Sequence, residues 1–95
     1  MTTIPTAVWK PKANNPHYSI CELMLPALAS TGPLVFRHTT DLLPHNSGEV
    51  LMKAGDHKDE ARVNAGQSVE IEAGTELEIL NMSDQVITFT ILESK

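Results

Sequence analysis

The sequence predicts an all-β sandwich or barrel preceded by an extended N-terminal arm. Three observations carry that expectation. Turn signals recur at residues 44–48, 54–58, 64–66, 73–74 and 83–84. The short runs between them alternate apolar and polar residues with period two, the pattern of a strand with one buried face. Val69 and Ile71 alternate with Glu70 and Glu72, Leu77 and Ile79 with Glu76 and Glu78, and Ile87, Phe89 and Ile91 with Thr88 and Thr90. Finally, residues 1–16 carry Pro5, Pro11 and Pro16, and three prolines leave neither helical nor strand periodicity.

Taken in order, residues 1–16 read as an arm that is either disordered or ordered by lying on something else. Trp9 sits in its middle and is costly to expose, which favours docking on its own domain or on a neighbour. The β domain is expected over residues 17–95. In "YSICELML", Tyr18 to Leu25, Ser19 and Glu22 have capping-box spacing. Pro26 leaves room for barely two turns, and so short a helix is marginal, so a strand is expected. "ALASTGP" reads as a loop and "LVFRH" as the next strand. "EVLMK", "EARVN", "SVEIE", "ELEIL" and "QVITFTIL" follow as strands. Glu70, Glu72, Glu76 and Glu78 are expected on the polar faces of two adjacent strands, as one solvent-facing acidic stripe that discourages edge-to-edge aggregation.

Length and composition bound the rest. Ninety-five residues make one domain, which buries roughly 60–70% of its unfolded surface and folds with little margin. The only aromatics are Trp9, Tyr18, Phe36 and Phe89, so the core must be aliphatic. Seven basic against twelve acidic residues give a net charge of −5, with no basic patch interleaved with aromatics. That excludes nucleic acid as the partner and disfavours anionic membranes. The apolar segment around Leu23 is too short to span a bilayer and is broken by Pro26. No signal-peptide pattern appears, and the glycosylation match at Asn81 reads as chance. Cys21 is the single cysteine, so no internal disulfide is possible. The expected setting is cytoplasmic, or a virion if the chain is phage-encoded, and not secretory.

From Gly66 the chain reads Gly66, five residues, Glu72-Ala73-Gly74, Thr75-Glu76, Leu77, three residues and Asn81. A glycine at each bend permits a sharp turn between strands. This stretch resembles the second motif of the cupin superfamily, small β-barrels of jelly-roll type. The resemblance implies a cupin-like jelly-roll barrel or sandwich. In that family the Glu72 position is usually proline and the Leu77 position is the metal-binding histidine. The following "NMSDQVITFTILE" looks like the family's closing strand. The first cupin motif has two histidines one residue apart, then a glutamate, then a glycine. In "LLPHNSGEVLMKAG", His45 falls at the second histidine position, with three residues before Glu49. Leu43 falls at the first, and Gly55 arrives one residue earlier than the pattern prefers. On this alignment two ligand positions keep donors and two have become leucine. The resemblance covers roughly residues 38–92.

A metal site of this kind needs about three or four side chains converging on one ion. His45 and Glu49 are the metal candidates, and His38 at the end of "LVFRH" is a candidate third ligand or general base. With leucine at the other positions, the expectation is no metal, no cofactor and no catalytic set. His17 and His57 carry no pattern, and "GDHKDE" lacks the oxygen-ligand spacing of a calcium loop. Cys21, flanked by apolar residues, reads as an inert buried thiol. Neither a Ser-His-Asp arrangement with local context nor a phosphate-cradling glycine loop appears.

Three functional readings follow. The first is a non-catalytic structural or assembly protein, such as a phage capsid decoration protein, that uses the jelly-roll as a rigid block. It is expected to be a homo-oligomer that binds a protein partner through its arm, with Trp9 and Tyr18 as the partner-binding residues. The second is a small metal-dependent enzyme built on His45, Glu49 and His38. The third is a metal-free small-molecule or regulatory binding domain with a cavity lined by Leu43, Leu77 and Met52, which the sequence does not separate from the first.

Overall fold

The computed structural model describes residues 6–95, with Lys58 by its backbone alone. Among these the elements are β1 (Val8–Asn14), β2 (Tyr18–Leu25), β3 (Leu34–Val35), β4 (Thr40–Pro44), β5 (Gly48–Ala54), β6 (His57–Val63), β7 (Val69–Ile71), β8 (Glu76–Asn81) and β9 (Ile87–Ser94). They form a five-stranded sheet of order β1-β2-β9-β4-β7 and a four-stranded sheet of order β3-β8-β5-β6. Every pairing is antiparallel. The chain repeatedly crosses from one sheet to the other, which is jelly-roll topology. No helix among the described residues is long and apolar enough to cross a membrane.

The core is the sum of the inward rows. β9 contributes Ile87, Phe89 and Ile91, β2 contributes Leu23 and Leu25, and the other sheet answers with Val50, Leu77 and Ile79. Each is buried, and the core is aliphatic around the single buried aromatic Phe89. At about 25 cal/mol per Å², burying each such side chain contributes about 1.5–3 kcal/mol.

Four expectations are corrected here. The prolines of the N-terminal segment do not prevent a strand, because Val8–Asn14 pairs with β2 from Val8↔Met24 to Asn14↔Ser19. Proline is tolerated on edge strands and at bulges, and β1 is an edge with a register shift between Pro11 and Ala13. Residues 1–5 of the arm, Pro5 included, lie outside the described residues. "LVFRH" yields only the two-residue β3, whereas Thr40–Pro44, not among the expected strands, is a full strand between β9 and β7. The acidic stripe does not exist as one surface. Glu70 belongs to the five-stranded sheet and Glu76 and Glu78 to the four-stranded one, because the turn around Gly74 carries the chain from one sheet to the other. Gly74 has φ 80°, a conformation that favours glycine.

Candidate functional site

The family-like ligand positions come first, built from strand register. Leu77 and Asn81 are four residues apart on β8, so both project to the same side of their sheet, and both are fully buried. Leu77 thus lies at the interior position that the second motif assigns to a histidine. Asn81 has every side-chain group satisfied. Its Nδ2 donates to the Leu25 carbonyl at 2.8 Å and the Gln85 carbonyl at 2.7 Å. Its Oδ1 accepts from Ser83 N at 2.9 Å and Ser83 Oγ at 2.7 Å. The asparagine therefore ties the β8–β9 turn to the end of β2.

The first motif lies one residue away from where the sequence alignment placed it. On β4, Leu42 pairs with Ile91 and Pro44 with Phe89, so these two face the core. Leu43 pairs with Thr90 and projects outward, where it is exposed. His45 is also exposed, and its Nε2 meets Thr90 Oγ1 on the outer surface. Glu49 lies on the outer face of the opposite sheet, where its Oε1 accepts from Arg62 Nη1 at 2.8 Å. The inward positions one residue apart are Leu42 and Pro44. Gly48 follows Pro44 after three residues, and Gly55 follows Gly48 with the extra residue that the earlier alignment lacked. All four ligand positions, Leu42, Pro44, Gly48 and Leu77, are buried and carry no donor side chain. A Cβ on Gly48 would lie 2.7 Å from Ile87 Cδ1, so Ile87 fills the space beside Gly48 that a side chain there would need.

The residues present do not fit a metal ion. His45, Glu49 and His38 occupy three separate places, and His38 Nδ1 lies 2.9 Å from Glu93 Oε1. Among the described residues no three His, Cys, Asp or Glu side chains are grouped to hold an ion. Leu43 projects away from Leu77 and Met52, so those three line no common cavity. Cys21 faces the Ile91 side of its sheet, and burial, with Glu93 adding a smaller effect, raises its thiol above the ordinary pKa. A raised pKa keeps the unreactive thiol form. His17 and His57 are exposed.

Trp9 and Tyr18 are both exposed but on opposite sides of the five-stranded sheet. Trp9 pairs with inward-facing Leu23, and Tyr18 shares the outward row of Ile20 and Met24. Two grooves lie on the outer surfaces. One, of about 250 Å³, is lined by Ser30, Leu51, Lys53, Glu78 and Leu80. The other, of about 310 Å³, is lined by Ile20, Asp41, Leu43, Ser68, Thr90 and Leu92. Sequence reasoning missed Leu42, Pro44 and Gly48. The spacing from Gly48 to Gly55 was the available signal.

No family model matches the chain, and no curated protein matches it. Solved structures do. A cupin domain from Bordetella pertussis superposes with a TM-score of 0.90 at 21% identity, covering 100% of this chain and 99% of that one. A cupin family protein with a double-stranded β-helix fold from Methanocaldococcus jannaschii gives 0.82 at 18% identity, covering 96% and 82%. An oxalate oxidase in complex with the substrate analogue glycolate gives 0.78 at 14% identity, covering 98% of this chain and 53% of its own. The chain has the cupin fold.

Proposed function

We propose that this cupin-fold chain is a non-catalytic assembly protein, a rigid block that works through surface contacts with protein partners, copies of itself included. One observation supports it above the others. Every position at which the family holds its metal is apolar or bare, and the interior behind those positions is packed, with Ile87 lying over Gly48. A packed interior leaves the outer surface as working surface, and Val8, Tyr18, Met24 and Leu43 are exposed apolar side chains on the outer face of one sheet. Virion decoration is one role such a block could fill.

Native mass spectrometry of the purified protein, with and without iron, manganese, nickel or zinc, tests the reading. The expected result is a defined oligomer without a metal adduct. One tightly held ion per chain, lost in His45→Ala, would overturn this reading and is what the metal-dependent enzyme requires.

A further inference from the structure

We infer that the outer face of the four-stranded sheet carries a binding site for a free apolar α-amino acid, in the groove of about 250 Å³ lined by Ser30, Leu51, Lys53, Glu78 and Leu80. Strand register builds it. Lys53 and Glu78 are direct cross-strand partners on β5 and β8, and Leu51 and Leu80 are partners in the next outward row. Their strand neighbours Val50, Leu77 and Ile79 point inward and are buried, so these four project to the outside. Ser30 bridges Leu80 at the sheet edge, and Glu60 stands opposite Leu51 on β6. The floor is therefore two leucines wide with a polar residue on either rim. An ammonium and a carboxylate stand side by side at one end of it.

That charged pair is held open. Opposite charges placed directly across an antiparallel ladder ordinarily attract. Yet the ion pairs among the described residues are Lys12–Glu22, His38–Glu93 and Arg62–Glu49, and Lys53–Glu78 is not one of them. Glu78 turns instead toward the sheet edge, where its Oε2 accepts from Ser30 Oγ at 2.9 Å. Ser30 is a fixed anchor. Its Oγ also accepts from Gly32 N at 3.0 Å. The chain on either side of it is clasped to β8, with Asn81 N donating to the Ala29 carbonyl and Thr31 N to the Ile79 carbonyl, each at 2.9 Å. The Lys53 ammonium and the second carboxylate oxygen of Glu78 are left to the groove that both side chains line.

The ligand that completes this arrangement carries both charges on one carbon and an apolar tail. Its carboxylate meets Lys53, its ammonium meets Glu78 Oε1, and its side chain lies on Leu51 and Leu80. The dimensions agree. Cross-strand partners have Cβ atoms about 5 Å apart, a gap that the two charged groups of one α-carbon can bridge. The leucine row lies two residues along the strands, about 6.6 Å away, within reach of a leucine, methionine or phenylalanine side chain. A groove of about 250 Å³ falls just under the roughly 300–1,000 Å³ of drug-sized sites, which suits a ligand of amino-acid size. A simple amine would leave Lys53 without a partner, and a simple carboxylate would leave Glu78 Oε1 without one. This site is independent of the assembly reading and stands or falls without it.

The experiment is an NMR titration of the isotopically labelled full chain with L-leucine, glycine, isocaproate and isoamylamine, read by amide chemical shifts. L-Leucine is expected to bind with a Kd of about 0.1–5 mM, its shifts centred on the amides of Leu51, Lys53, Glu78 and Leu80. Glycine lacks the side chain, and isocaproate and isoamylamine each lack one charge. All three should bind at least about fivefold more weakly. Lys53→Met and Glu78→Gln, each checked for wild-type circular dichroism, should weaken L-leucine binding by about fivefold or more. Leu43→Ala, in the groove of the other sheet, should leave it unchanged. No saturable shift up to about 20 mM L-leucine overturns the site, and so do shifts centred elsewhere. Glycine, isocaproate or isoamylamine binding as tightly as L-leucine overturns the ligand class. Should either charge variant not fold, the ligand series on the unaltered chain decides alone.

Discussion

Gly48 and Ile87 share one volume in the core. Because a Cβ at Gly48 would lie 2.7 Å from Ile87 Cδ1, Gly48→Ala is expected to lose about 1–3 kcal/mol by overpacking. Ile87→Val removes that terminal carbon and alone costs about 0.5–1.5 kcal/mol. Urea denaturation of the double variant should show a loss smaller than the sum of the two. Additive losses would mean that the two side chains do not compete. Asn81 acts by the opposite means, through polar satisfaction rather than volume. Asn81→Ala strips the Leu25 and Gln85 carbonyls of their donor and should cost about 2–4 kcal/mol in the same assay. Of these residues, Asn81 was legible as a motif position. Gly48 was not, because a glycine beside a glutamate reads as a turn residue until its neighbours across the core are known.

At the scale of elements, the edge strand β1 is weakly held by side-chain burial. Its residues are exposed except for half-buried Ala13, so it is fastened by its backbone ladder to β2 and buries little apolar surface. Such segments open locally, below the cost of global unfolding. Hydrogen exchange on dilute monomer should therefore show β1 amides exchanging at least about tenfold faster than those of central β9. Equal protection would require some further fastening of β1. Two of the elements misread from sequence share a cause. β1 and β4 both contain a proline, Pro11 and Pro44, and local chemistry reads proline as punctuation. The edge and bulge position of β1 removes that conflict, as does the placement of Pro44 at the last position of β4.

For the molecule as a whole, two sheets close on an aliphatic core. A metal at 100 times its Kd would stabilise the fold by about 2.7 kcal/mol, which for a domain of this size means more than about 10 °C in Tm. Thermal scans with and without millimolar zinc, manganese or nickel are expected to agree within about 1 °C. A shift of the larger size would return the interior to candidacy as a site.

Fold class, most of the strands and the second motif were legible in the residues alone. Those rest on period-two alternation and on turn residues, which are local chemistry. The sequence also placed Leu77 on the interior face of its strand, because Leu77 and Ile79 alternate with Glu76 and Glu78. Tertiary structure alone decided which face of β4 turns inward. Leu42 and Leu43 are adjacent and equally apolar, so period two fits either phase, and a one-residue slip sends every side chain to the other face. Pairing with β9 resolves it, setting Leu42 beside Ile91 and Pro44 beside Phe89. That single choice turns His45 outward and leaves the family's metal positions without a donor. It was likewise tertiary pairing that brought Asp41 beside Glu70, two carboxylates 29 residues apart (70 − 41), since only a ladder between distant strands can make neighbours of them.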